Sequence, residues 1–215
     1  LKEMIIQNIK RIKKDCNKAI IVAVTKNRSI PEIIEAVESG VKVIAENRIQ
    51  EAENKYSILK DLLKEKKVSF HFIGHLQSNK AKKAVEMFDV IQSVDSLKLA
   101  NIVNKRAREI NKVQEIFLQI NIGREKQKYG LYPEQVFKIV DEIRGLSNLN
   151  LTGLMCIPPY SETPEYSRIY FKEMKNIFDK INSLKYLSMG MTNDYKVAIE
   201  EGSNMIRIGR GIFEG

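Results

Sequence analysis

Eight short apolar runs, each followed by a longer amphipathic segment, constrain this chain more than any other feature of its sequence. The runs are IIVAVTK ending at Lys26, VKVIAEN at Asn47, VSFHFIG at Gly74, VIQSVD at Asp95, EIFLQIN at Asn121, LNLTGLMCI at Ile157, YLSMGM at Met191 and MIRIGRGIF at Phe213. Most are continuously apolar, the pattern of strands covered on both faces of a parallel sheet. Between them, residues 31–39, 49–66, 78–87, 96–111, 133–145, 164–182 and 194–201 carry apolar side chains three and four apart, as amphipathic helices do. A further helix over about residues 3–15 precedes the first strand. Eight βα units in 215 residues predict an α/β fold, a single (β/α)8 TIM barrel with an extra N-terminal helix and one domain over 1–215. A doubly wound open sheet is the alternative, but it wants a Gly-rich turn after the first strand, where this chain has TKNRSIP.

Composition narrows the partners. Lys and Arg total 36 against 27 Asp and Glu, a net +9 that could attract phosphate-bearing molecules. The basic residues are scattered through helical segments such as Lys60 to Lys67, which reads as solvated helix faces, and no nucleic-acid motif accompanies them. No stretch approaches the roughly 18 apolar residues of a membrane span. The opening LKEMIIQNIKRIKKDC interrupts its apolar residues with lysines, unlike a secretory signal. Cys16 and Cys156 have neither metal-ligand nor redox spacing. A cytoplasmic protein without a disulfide is expected, with neither membrane nor nucleic acid as partner.

In a barrel, active groups gather at the C-terminal ends of the strands. Lys26, Asn47, His75, Asp95, Asn121, Thr192 and the segment 207–211 fall there. Lys26 closes the apolar run Ile20 to Val24, so its amine is expected to be partly desolvated, which lowers a lysine pKa and frees a nucleophile for an aldehyde; a lysine snorkelling to solvent is the plainer reading. The exits at 187–194 and 205–213 supply Gly190, Gly209 and Gly211 for close backbone approach and the Thr192 hydroxyl, the materials of a phosphate site. Arg207, flanked by Ile206 and Ile208, must face a polar group, which could be a ring nitrogen, a carboxylate or a phosphate. Asn47 either bonds a ligand or caps helix 49–66. His71 and His75 lack a metal-ligand pattern, His71 reading as a hydrogen-bonded interior residue and His75 as a group at the barrel mouth.

Taken in order, AVTK at 23–26, ENRIQE at 46–51, HFIGHLQSNK at 71–80, LMCI at 154–157, SMGMTND at 188–194 and GSNMIRIG at 202–209 make the whole chain resemble the YggS/PROSC family of pyridoxal phosphate homeostasis proteins, whose barrel is similar to that of alanine racemases. The resemblance implies pyridoxal 5′-phosphate (PLP) as cofactor, held reversibly as an aldimine on Lys26, with Asn47 beside the ring and Arg207 on the pyridine nitrogen. It implies a phosphate site at Met191, Thr192, Gly209 and Arg210. Arg210 departs from the family, in which a small hydroxyl residue often follows the glycine of RIG; it loses that hydroxyl, keeps the backbone N–H and adds a cation. No residue is assigned a catalytic role, because an Arg beside the ring nitrogen makes the cofactor a poor electron sink. The acid–base tyrosine of racemases has no obvious counterpart, Tyr160 and Tyr195 being the candidates. The implied function is intracellular vitamin B6 homeostasis by a carrier, with amino or keto acids as further ligands and PLP-dependent enzymes as recipients; a monomer is expected. A PLP-dependent amino-acid racemase is the alternative.

Overall fold

The computed structural model describes residues 2–16 and 18–215. Eight parallel strands close on themselves in chain order: β1 Ile20–Val24, β2 Val43–Glu46, β3 Ser69–Phe72, β4 Val90–Val94, β5 Gln114–Ile120, β6 Leu149–Cys156, β7 Tyr186–Ser188 and β8 Met205–Ile208. β8 returns to β1 through the register Val22 to Arg207, so no strand edge is left open and the open-sheet alternative is excluded. The helices are α1 Lys2–Asp15, α2 Ile30–Glu38, α3 Ile49–Lys66, α4 Ala81–Met87, α5 Leu97–Glu109, α6 Val136–Arg144, α7 Arg168–Asp179, α8 Tyr195–Glu200 and α9 Arg210–Phe213. The fold expected from the sequence is therefore the fold observed, with one correction. The eighth run reads as a single strand to Phe213, but the strand ends at Ile208, and Gly209 turns the chain into the short helix α9.

Two cores explain the pattern of the apolar runs. The larger lies between strands and helices; α1, for instance, buries Ile5, Ile9 and Ile12 there, each contributing roughly 1.5–3 kcal/mol. The smaller is separate and fills the barrel with Val22, Val43, Ala45, Val90, Phe117, Met155 and Met205. Side chains alternate between the two along the strands, as the two-residue period requires, with the alternation reset by an extra residue in β4 between Ile91 and Val94 and in β6 between Leu151 and Gly153. That parity also assigns inward places to polar residues: Ser69 and His71 on β3, Gln92 on β4, Ser188 on β7 and Arg207 on β8. All except Ser69 are buried. The same parity carried past the strand ends takes Lys26 two residues beyond Val24 and Asn47 two beyond Ala45, to the C-terminal mouth.

Candidate cofactor site at the barrel mouth

Lys26 sits in a turn that opens as β1 ends. The Arg28 N–H donates to the Thr25 carbonyl at 3.0 Å, and Asn27 takes the left-handed conformation with φ 57° that asparagine tolerates in such turns. Lys26 is exposed, so the expected desolvation of its amine is not met. The reason is local: the strand stops at Val24, the Thr25 side chain turns outward to Glu46, and the next residue emerges at the open rim.

Asn47 does not cap α3. The cap position is Arg48, which makes no side-chain cap bond, while Asn47 Oδ1 is buried without a hydrogen-bond partner. An unpartnered buried amide oxygen costs about 1–3 kcal/mol until a donor reaches it. Its backbone is fixed by Gly74, where an added Cβ would stand 2.0 Å from the Asn47 carbonyl oxygen; only glycine lets the β3 exit pass so close.

Arg207 is buried inside the barrel, and both of its partners are neutral. Nη1 donates to Ser188 Oγ and Nη2 to the Cys156 carbonyl, each at 2.8 Å. Burial pulls its pKa below the ordinary value, yet a guanidinium stays charged at neutral pH. The contact starts a polar chain across the interior. Ser188 Oγ donates to Gln92 Oε1 at 2.6 Å, Gln92 Nε2 lies 2.8 Å from His71 Nδ1, and His71 Nε2 lies 2.9 Å from Ser69 Oγ. With Gln92 Oε1 accepting, its amide must donate, which makes His71 Nδ1 an acceptor and places the ring proton on Nε2. Burial pushes the His71 pKa down to about 3, so the imidazole is neutral, as expected of an interior histidine.

On the β7 and β8 side, Thr192 and Arg210 line an open cleft of about 570 Å³ with Arg11, Tyr160, Asn193 and Gly211. The Gly211 N–H donates to Thr192 Oγ1 at 3.2 Å, tying the two exits together. Gly190 has φ 95° and lies against Ala198, where a Cβ would approach to 2.6 Å. The buried carboxylate of Asp194 accepts from the Met191 N–H at 2.8 Å and from Ser167 Oγ at 2.9 Å, holding Met191 and Thr192 on the rim. Gly209 has only ordinary contacts at its Cβ position and serves as the residue before α9. A second cleft of about 350 Å³, between α3 and the start of β4, is at the opposite end of the barrel from these residues.

The other polar strand exits serve elsewhere. Asn121 folds its own loop, donating to the carbonyls of Glu125 and Lys128. His75 stacks on Tyr129 with centroids 3.5 Å apart and meets Asp95 Oδ2 at 3.2 Å, a carboxylate partner not apparent from the histidine spacing. Tyr195 turns to α1, its hydroxyl donating to Asp15, and burial raises its pKa to about 12. Cys16 and Cys156 are buried free thiols, pushed by burial up to about 11 and about 12. Among the described residues, no group of three or more His, Cys, Asp or Glu is placed to hold a metal, and no helix is long and apolar enough to cross a membrane.

Sequence alone assigns no role to Gln92 or Ser188, to the packing of Gly74, or to the joining of Glu46, Glu51 and Lys55; only the first two carry a local signal. The available signal was a polar residue of inward parity within an apolar run, as in VIQSV and YLSM.

The sequence model of the alanine racemase N-terminal domain matches residues 2–215. The pyridoxal phosphate homeostasis protein of Aquifex aeolicus is 41% identical over 189 residues, 85% of this chain and 81% of that protein. The chain belongs to the pyridoxal phosphate homeostasis protein family. A Synechocystis pyridoxal phosphate homeostasis protein is 40% identical, covering 90% of this chain and 89% of its own. Among solved structures, PipY of Synechococcus elongatus with PLP bound overlays at a TM-score of 0.88 with 31% identity, covering 97% of this chain and 99% of PipY. The residues at the mouth of this pyridoxal phosphate homeostasis protein family member fit that cofactor's chemistry. They offer an amine at the rim, a buried cation with neutral hydrogen-bond partners, an amide oxygen in want of a donor, and a cleft where Thr192 and two arginines stand beside the carboxylates of Glu162 and Glu214.

Proposed function

We propose that this chain binds pyridoxal 5′-phosphate at the barrel mouth and acts in its homeostasis as a carrier, all of residues 1–215 forming one cofactor-binding domain. The observation that carries the reading is Arg207: a buried guanidinium whose hydrogen-bond partners are both neutral, and which the buried Asp194 carboxylate stabilises only through space, favours an electron-rich group entering from the mouth. Lys26 would hold the aldehyde covalently, Asn47 would accept from a donor beside the ring, and Arg207 would donate to the ring nitrogen. Thr192, Gly209, Arg210 and the Met191 backbone would receive the phosphate; Arg210 replaces a lost hydroxyl contact with charge.

When bound, PLP supplies an electrophilic carbon for amines and a conjugated ring. Arg207 supports holding more than turnover, because a permanently charged donor cannot pass a proton to the ring nitrogen, and withdrawal of electrons into the ring is weak without that proton. The Ser188–Gln92–His71 chain keeps the guanidinium in place, while neutral His71 adds no second charge. Relatives that carry the homeostasis name favour this reading over a racemase. We further read the chain as a cytoplasmic monomer that exchanges PLP with amino or keto acids and with PLP-dependent enzymes.

The test is an absorbance spectrum of purified protein with PLP, before and after borohydride reduction, followed by peptide mapping. A lysine-linked chromophore mapping to Lys26 and lost in Lys26→Ala supports the proposal. Absence of the chromophore in the wild type, or its survival in Lys26→Ala, refutes it.

A further inference from the structure

Behind the rim lies a charged group that the proposed cofactor contacts do not use. Lys55 on α3 is buried and donates through Nζ to Glu46 Oε1 at 2.7 Å, to Glu51 Oε1 at 2.6 Å and to the Thr25 carbonyl at 2.5 Å. Glu46 is fully buried at the end of β2, also accepts from Thr25 Oγ1 at 2.6 Å, and its Oε2 has no partner. Glu51 Oε1 accepts in addition from the Asn27 N–H at 2.6 Å. The cluster thus grips the peptide group on each side of Lys26: the carbonyl of Thr25 before it and the amide of Asn27 after it.

This arrangement does more than the fold requires. The turn already has its own closing bond from Arg28 to Thr25, and exposed turns form without buried ions. Burying an ammonium and a carboxylate costs several kcal/mol that close pairing only partly offsets, so such a group is a weak source of stability. Its physical effect is to remove freedom from one turn. Burial raises the Glu46 pKa beyond what Lys55 and Thr25 offset, whereas at Glu51 burial is outweighed by Lys55 and the Asn27 N–H together, keeping that carboxylate ionised.

We infer that Lys55 and Glu51 are positioning residues for Lys26, locking the Thr25–Arg28 turn so that an otherwise exposed amine is held where an aldehyde bound at the mouth meets it. The inference rests on the proposed role of Lys26. Side chains on exposed turns sample many directions, and a misplacement of about 1 Å at a reacting atom can cost about a hundredfold in rate. Fixing both flanking peptides confines the origin of the side chain, which the strand itself no longer does beyond Val24.

The experiment separates covalent capture from binding. Pyridoxal 5′-phosphate reports capture through its lysine-linked absorbance and borohydride trapping; pyridoxamine 5′-phosphate, which has no aldehyde, reports the ring and phosphate contacts through fluorescence titration. Glu51→Ala and Lys55→Met are expected to slow capture by about tenfold or more, with pyridoxamine 5′-phosphate affinity within about twofold of wild type. Glu51→Gln, which keeps an acceptor oxygen at the same reach, is expected to recover most of the rate. Glu51 is partly exposed, so Glu51→Ala carries the test if Lys55→Met does not fold. Unchanged capture in Glu51→Ala overturns the inference, and so does a parallel fall in both measurements, which would mark the cluster as structural. If wild-type protein binds neither compound, the proposed function itself fails, an outcome distinct from either.

Discussion

Acidification from pH 7 to pH 5 is expected to destabilise the fold through His71, by an amount that follows from its surroundings. In the unfolded chain the imidazole titrates near 6.5, and inside the barrel burial moves that to about 3. The folded value is depressed, so the neutral ring's contribution is fully present above about pH 6.5 and is lost as the pH falls toward about 3. From 6.5 down to 5 the unfolded chain gains a proton that the folded chain refuses, at about 1.36 kcal/mol per pH unit, or about 2 kcal/mol in all. Glu46 acts in the opposite sense: its raised pKa adds stability at low pH that is lost as the pH rises through the folded value. A wild-type curve mixes the two, and His71→Asn separates them. Asparagine keeps an oxygen able to accept from the Gln92 amide and does not titrate. Urea unfolding at both pH values should show the wild type losing about 2 kcal/mol more than His71→Asn. Losses equal to within about 0.5 kcal/mol would refute a neutral imidazole confined in the barrel.

Three other perturbations probe the same interior. Gln92→Leu strands the Ser188 hydroxyl proton and His71 Nδ1, at about 1–3 kcal/mol each, and a double-mutant cycle with His71→Phe should return part of that loss; simple additivity would argue against the polar chain. Gly74→Ala pushes a methyl against the Asn47 carbonyl and is expected to cost about 1–3 kcal/mol in thermal unfolding, together with weaker PLP binding; an unaltered Tm would contradict the contact. Arg207→Met removes a buried charge whose partners are neutral, so ligand-free protein should keep or raise its Tm while PLP affinity drops about tenfold. A large fall in Tm would mean that the guanidinium is compensated within the protein.

The fold was legible in the sequence because covered parallel strands and amphipathic helices impose periods on the chain itself. Each of the eight runs contains a strand, and the interleaved segments contain the helices. Errors fell at ends, where no period applies: the run to Phe213 reads as one strand, and only the turn at Gly209 shows that α9 begins there. The site was legible in part. Polar residues at strand exits stood out against apolar runs, which singled out Lys26, Asn47, Thr192 and Arg207. What each one touches depends on neighbours tens of residues away. Asn47 is released from capping α3 and held by Gly74, 27 positions further along the chain. Arg207 finds Ser188 and, through it, Gln92 and His71 on the far side of the barrel.

Periodicity and the identity of the strand-end residues belong to the sequence, since both arise from local chain geometry and side-chain chemistry. Exposure and partnership do not. Lys26 is exposed despite its apolar run because burial depends on where β1 stops relative to its neighbours. The pair that grips its turn comes from Glu51 and Lys55 on another element. Only closure of the barrel brings those groups together, and with them the electrostatics of the mouth.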